Sequence, residues 1–120
     1  MNKKILFVDD DEALRILVKS QLITEGFEVD TADDGDTALE MIKKSNYDLI
    51  LLDIKMQRLD GIETLKKLRE YGCRARVIML TAVTELNTAI NSIKLGANDY
   101  ITKPYEIEDL INCINRVLSR

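Results

Sequence analysis

Five short runs of apolar, mostly branched residues, each followed by a segment whose apolar residues repeat at helical spacing, constrain this chain more than any other feature. The runs are Ile5 to Val8, Phe27 to Ala32, Leu49 to Leu52, Val77 to Leu80 and Asp99 to Thr102. Strand and helix patterns in alternation imply βαβ units and a parallel sheet. The first and third runs are apolar at every position, as central strands covered on both faces must be. The second alternates Phe27, Val29 and Thr31 with Glu28 and Asp30, so one of its sides meets water and it is predicted to lie at an edge.

Between the runs, Leu14, Leu17, Val18 and Leu22 form one helical stripe, and Ala38, Met41 and Ile42 a second. Ile62, Leu65 and Leu68 form a third, Leu86, Ile90 and Ile93 a fourth, and Ile107, Leu110, Ile111, Ile114 and Val117 a fifth. Gly26, Gly72 and Gly96 stand where stripes stop, as glycine does after helix C-termini. The expected architecture is α/β, of the form (βα)5. Right-handed crossovers then place helices on both faces of the sheet. Ile16 lies off the first stripe and is expected at the surface.

With 120 residues the chain fits one domain, 1–120, large enough to bury a core without metal or disulfide staples. Its formal charge is -4 with both signs interleaved, so there is no basic stripe of the kind that neutralises nucleic-acid phosphates, and no direct nucleic-acid binding is expected. The run Ile5 to Val8 meets three aspartates, far short of a signal-peptide core or a membrane span, which points to a cytoplasmic location and no membrane partner. Cys73 and Cys113 lack metal-ligand spacing and read as reduced, inert thiols. Histidine is absent altogether. That removes Ser-His-Asp and Cys-His nucleophile pairs and most zinc sites, leaving carboxylates, Lys, Thr, Tyr and a hard cation as the means of any chemistry.

Those residue types collect at the C-terminal ends of the runs: Asp9 and Asp10 after the first, Asp53 after the third, Thr81 after the fourth and Lys103 after the fifth. In an open doubly wound sheet, that edge is where ligands bind. Each residue alone has an ordinary reading. Asp9-Asp10-Asp11-Glu12 would cap the first helix, Asp53 would end a strand, Thr81 would sit in a loop, Lys103 would be solvated and Tyr100 half-buried. Independent caps, however, have no reason to gather acids, a hydroxyl and an ammonium on one edge. Two carboxylates about 5 Å apart repel by roughly 3 kcal/mol at an effective dielectric of about 20. A cation relieves this, and oxygen-only ligands select a hard one such as Mg²⁺.

The motifs Val8-Asp9-Asp10, Leu52-Asp53-Ile54-Lys55-Met56 with Asp60-Gly61, Thr81-Ala82, and Asp99-Tyr100-Ile101-Thr102-Lys103-Pro104 resemble those of the response-regulator receiver family, over essentially the whole chain. The resemblance implies a single-domain, doubly wound, flavodoxin-like fold with strand order 2-1-3-4-5, which would set Asp10 beside Asp53. It implies that Asp53 accepts a phosphoryl group from the phosphohistidine of a histidine kinase or histidine phosphotransfer protein. Asp10, Asp53 and the main-chain carbonyl of Lys55 would hold Mg²⁺ (or Mn²⁺), with Asp9 acting through water. Lys103 and Thr81 would contact phosphoryl oxygens, and Tyr100 would turn from an exposed to a buried rotamer. The Lys103-Pro104 bond would be cis. Output would pass to an output domain or target protein through the face of the fourth helix, fifth strand and fifth helix, with Asn87, Asn91 and Lys94 exposed; a phosphorylation-dependent homodimer is a further partner of this kind. Such a domain is no enzyme in the usual sense, since it catalyses only its own phosphorylation and dephosphorylation.

Gln57 stands where most receivers carry proline, which predicts a more mobile acceptor loop. Lys55 and Val83 occupy positions where the family tunes attack by water. Two other functions remain on the residues alone. The spacing Asp9-x-Asp11 brushes the haloacid-dehalogenase phosphatases, whose lid this length cannot supply. A pseudo-receiver scaffold would never take phosphate, but the complete acidic set argues against it. An FMN binder would need a hydroxyl- and glycine-rich loop after the first strand, which is lacking.

Overall fold

The computed structural model describes residues 2–120. Five parallel strands, β1 (Lys4–Val8), β2 (Glu28–Ala32), β3 (Leu49–Asp53), β4 (Arg76–Ala82) and β5 (Asp99–Lys103), form one sheet in the order β2-β1-β3-β4-β5. Five helices alternate with them: α1 (Glu12–Thr24), α2 (Gly35–Lys44), α3 (Gly61–Glu70), α4 (Leu86–Lys94) and α5 (Ile107–Leu118). A single 3-10 turn, Val83–Glu85, precedes α4. The chain is thus the (βα)5 doubly wound fold, with β2 at one edge as its alternation demands.

Alternation along the central strands divides the core in two. Ile5, Phe7, Leu49, Leu51, Ile78 and Leu80 face α1 and α5, where Val18, Leu22, Leu110 and Ile114 meet them. Leu6, Val8, Ile50, Leu52, Val77 and Met79 face the opposite layer, with Leu39 of α2, Leu65 and Leu68 of α3 and Ala89 of α4. A fully buried aliphatic side chain contributes about 1.5 to 3 kcal/mol of transfer free energy, so these two layers hold the sheet rigid. Strand β5 is only half-buried along its length.

Two helical stripes differ from their periodicity. Leu17 is 56% exposed, and Ile90 and Ile93 of α4 are 47% and 43% exposed. Helix α4 instead lays Ala89 and Ser92 against the sheet. Small side chains let a helix approach closely, so burial followed size as well as polarity. Ile16 is exposed, as its position off the stripe requires, and so are Asn87, Asn91 and Lys94. Gly26, Gly72 and Gly96 all adopt positive φ where α1, α3 and α4 end. The Lys103-Pro104 peptide bond is cis. Among the described residues no helix is long and apolar enough to cross a membrane.

Candidate functional site

Strand register carries the chemical residues to one edge. Val8 lies opposite Leu52, Asp53 opposite Leu80, Thr81 opposite Thr102 and Ala82 opposite Lys103. Asp9 and Asp10 follow directly on Val8, so both enter the loop beside the end of β3. Carboxylate oxygens of Asp9, Asp10 and Asp53 all lie within 4.8 Å of one another.

The acidic run after β1 divides by residue. Asp11 is the N-cap of α1, its side chain accepting from the amide of Leu14 at 3.2 Å. Asp9 turns inward, 1% exposed, with Oδ1 accepting from the Asp11 amide at 2.9 Å. Asp10 faces solvent. Capping and site-building are thus both true of this run, at different positions. Arg15, one turn into α1, donates to the main-chain carbonyl of Asp9 at 2.7 Å and steadies that loop. Nothing in the sequence pattern pointed to Arg15.

Lys103 at the end of β5 reaches across two strands. Its Nζ lies 3.0 Å from Asp9 Oδ2 and 3.1 Å from Asp53 Oδ2. One ammonium therefore serves two buried acids, beside which the exposed Asp10 completes the acidic cluster. Burial pushes the Asp53 carboxyl up to about 6; the Lys103 charge opposes that rise and the Asp9 charge adds to it. Burial alone would lower Lys103, but its hydrogen bond to Asp9 and the charge of Asp53 outweigh burial and raise it. The second oxygen of Asp53 accepts from the Lys55 amide at 3.3 Å.

The donor set fits a hard divalent cation. Three carboxylates against one ammonium leave a formal charge of -2, and there is no imidazole or thiolate in the cluster to favour a softer ion. Exposed Asp10 borders a cleft of about 290 Å³, lined also by Glu12, Arg15, Asp33, Asp34 and Arg58. Gln57 lines the same cleft and is exposed.

The loop after β3 is seated by Gly61. A Cβ there would run into the carbonyl of Asp53 and the Cα of Ile54, and the Gly61 amide donates to Ile54 O at 2.8 Å. Only glycine lets α3 start so close to the end of β3. Asp60 caps that helix, accepting from the Glu63 amide at 2.9 Å. The pair Asp60-Gly61, which the sequence offered only as part of a motif, thus fixes where Asp53 stands.

Thr81 is 1% exposed, and its hydroxyl donates to the Ala82 carbonyl at 3.0 Å rather than into the cluster. Tyr100 is half-buried against the α2-α3-α4 layer. Both are placed on β4 and β5, paired through Met79 and Thr102. The hydroxyl of Tyr105, just beyond the cis bond, is buried without a hydrogen-bond partner among the described residues.

Comparison with known proteins matches the response regulator receiver domain family to residues 5–115. The chain is 37% identical over 120 residues to the chemotaxis protein CheY of Bacillus subtilis, covering 99% of this chain and 100% of that protein. It is 40% identical to the alkaline phosphatase synthesis transcriptional regulatory protein PhoP of the same organism, covering all of this chain and 50% of PhoP. The solved receiver domain of the Francisella response regulator 1452 superposes with a TM-score of 0.92 at 38% identity, over 99% of this chain and 98% of that one. The chain spans about a quarter to a half of the length of several other relatives it matches.

Proposed function

The chain belongs to the response regulator receiver domain family, the signalling domains of two-component systems, and from that premise we propose that Asp53 is its phosphoacceptor. The reading takes residues 1–120 as one receiver unit acting in the cytoplasm. The observation that carries it is the sharing of one ammonium, that of Lys103, by the buried carboxylates of Asp9 and Asp53 at 3.0 and 3.1 Å. Such an arrangement leaves excess negative charge in a buried place, poor for stability and suited to a ligand that brings positive charge.

In the proposed reaction a carboxylate oxygen of Asp53 bonds to phosphorus as the nitrogen–phosphorus bond of a phosphohistidine breaks, and the imidazole leaves. The donor is a histidine kinase or a histidine phosphotransfer protein. A carboxylate attacks an anionic phosphoryl group poorly unless charge is neutralised and the atoms are aligned. Asp9, Asp10, Asp53 and the main-chain carbonyl of Lys55 would hold Mg²⁺ (or Mn²⁺), which supplies that neutralisation when bound. Lys103, already within hydrogen-bond distance of Asp53, would transfer one of its donors to a phosphoryl oxygen. The buried Asp53 backbone, pinned by Gly61, keeps the attacking oxygen in place.

Thr81 supplies the readout. Its hydroxyl would leave the Ala82 carbonyl for a phosphoryl oxygen, drawing the turn Val83–Glu85 inward, and Tyr100 would move to its fully buried rotamer. A phosphoryl group recruits one to three charge-assisted hydrogen bonds, enough to bias an element whose two states differ by a few kcal/mol. The exposed residues Ile90 and Ile93 of α4 support the α4-β5-α5 face as the surface that meets an output domain, a target protein or a second phosphorylated copy.

Intact-mass measurement after incubation with acetyl phosphate and Mg²⁺ tests this. The wild type is expected to gain one phosphoryl group and Asp53→Asn none. Turnover without an adduct would favour a phosphatase instead, and an equal adduct on Asp53→Asn would remove the acceptor from Asp53.

A further inference from the structure

We propose that the cavity at the N-terminal edge of the sheet, where the chain leads into β3 and β4, is a binding site for a nucleoside polyphosphate. It lies at the opposite edge from the acidic cluster and stands whether or not Asp53 is a phosphoacceptor. The approach to β3 contributes Ser45, Asn46 and Asp48, the stretch from α3 into β4 contributes Tyr71, Arg74 and Arg76, and Lys43 of α2 adds a third cation. Its volume is about 620 Å³, within the roughly 300 to 1,000 Å³ of small-molecule sites.

The charge of this lining runs against that of the chain. Lys43, Arg74 and Arg76 stand against one carboxylate, Asp48, a formal +2 in a chain of -4. Asp48 is already engaged, its Oδ2 accepting from the Lys4 amide at 2.8 Å. Arg74 is exposed and enters none of the ion pairs among the described residues. Arg76 gives one guanidinium nitrogen to the Arg120 carbonyl and has further donors to offer. Cations beside helix C-termini ordinarily serve the last carbonyls, whose partial charge would also oppose an anion. Here those carbonyls are met by other groups. The Ser45 amide donates to Met41 O, and the Gly72 and Cys73 amides to Arg69 O and Leu68 O, all at 3.0 Å. Arg69 covers the Cys73 and Ala75 carbonyls at 2.8 Å each. Arg74 and Arg76 are thus left with donors that the helix ends do not use.

An anion alone would need only those cations. The cavity adds the ring of Tyr71, half in solvent, with Lys43 Nζ 4.6 Å from its centroid. A ring beside cations suits a ligand that joins a planar base to phosphates, because bases stack on aromatic side chains and guanidinium forks match phosphate oxygens. Ser45 and Asn46 offer a hydroxyl and an amide to the sugar or to the edge of the base. Strand β3 is five residues long, so at about 3.3 Å per residue the cavity stands roughly 16 Å from Asp53 along the strand, and both can be filled at once.

The experiment titrates the whole chain, in EDTA to keep divalent ions from the acidic cluster, with ATP, GTP, adenosine and inorganic triphosphate. Isothermal calorimetry reads affinity, and backbone amide NMR shifts read location. Saturable binding of ATP or GTP is expected, with shifts centred on Ser45 to Asp48 and Tyr71 to Arg76, and with adenosine and triphosphate each at least about tenfold weaker. Arg74→Ala and Tyr71→Ala, both at exposed positions, are each expected to weaken the nucleotide by about tenfold, the loss of one charge-assisted hydrogen bond or of one stacking surface. Arg74→Lys is expected to recover part of that loss. An amide spectrum unchanged away from the cavity shows that each variant is folded. Triphosphate as tight as the nucleotide would reduce the site to ion attraction and overturn the proposal. So would adenosine as tight as the nucleotide, shifts centred on Asp53 instead, or no saturation by either nucleotide up to about 5 mM, near the weak limit of specific affinity.

Discussion

The two edges of the sheet pair their polar groups in opposite ways. At the N-terminal edge Arg69 spends its donors on main-chain carbonyls: Gly96 at 2.8 and 3.2 Å, Cys73 at 2.8 Å and Ala75 at 2.8 Å. Asn98 accepts from the Val77 amide at 2.8 Å, Asp48 from the Lys4 amide at 2.8 Å, and Asp30 from the Tyr47 hydroxyl at 2.7 Å. Every donor named there meets a fixed acceptor, and the result is a brace between α3, β4 and the start of β5. At the C-terminal edge Asp9 and Asp53 divide one ammonium, and Asp10 stands within 4.8 Å of both. The difference teaches that burial alone does not mark a site; an internal mismatch of charge does.

Removing the cation at each edge should separate the two most sharply. Lys103→Met leaves two buried acids without a partner and is expected to cost about 4 kcal/mol in urea denaturation without divalent ions. Added Mg²⁺ is expected to recover most of that loss. Arg69→Met strands three carbonyls and is expected to cost about 3 kcal/mol, with no recovery from Mg²⁺. Equal rescue of the two variants would erase the distinction between brace and site.

The next effect comes from Asp53 itself, and its sign runs against intuition. Because burial holds the folded carboxyl of Asp53 at about 6, above its ordinary 3.8, the fold prefers the protonated form. That preference contributes fully below pH about 4 and is lost as pH rises through 6. Asp53→Asn removes the charge, so in the absence of metal it is expected to be more stable than the wild type by about 3 kcal/mol at pH 7. Near pH 4 the gain should vanish. Denaturation midpoints at the two pH values measure it, and a variant less stable than the wild type at pH 7 would mean that Lys103 compensates Asp53 fully.

The smallest expected effect lies at the C-terminal edge, two residues past Lys103. The buried Tyr105 hydroxyl has no partner among the described residues, and burial pushes it up to about 12. Tyr105→Phe should therefore raise stability by about 1 kcal/mol, the cost of an unmet hydroxyl, seen as a higher thermal midpoint. A loss instead would show that this hydroxyl belongs with the satisfied groups of the brace.

Much of this was legible in the chain. Strand and helix alternation, the apolar first and third runs and the mixed second run led to the sheet and its edge because those signals are local. The acids, Thr81 and Lys103 were legible for the same reason: each ends a run of apolar residues. Helix α4 was not, since its Ile90 and Ile93 outweigh Ala89 and Ser92 in any count of hydrophobicity. Which side packs depends on how closely the helix can approach β4 and β5, and small side chains decide that.

The sequence by itself determined the number and order of elements and the kinds of residue that end each strand, because periodicity and strand ends are written within a few neighbouring positions. Only the tertiary structure decided that Asp9 turns inward while Asp11 caps a helix, and that Lys103 bridges partners 94 and 50 positions away. Those facts depend on strand register and on distances across the sheet. No local pattern carries such distances, since they arise only when separate strands pair and their ends come to share one edge.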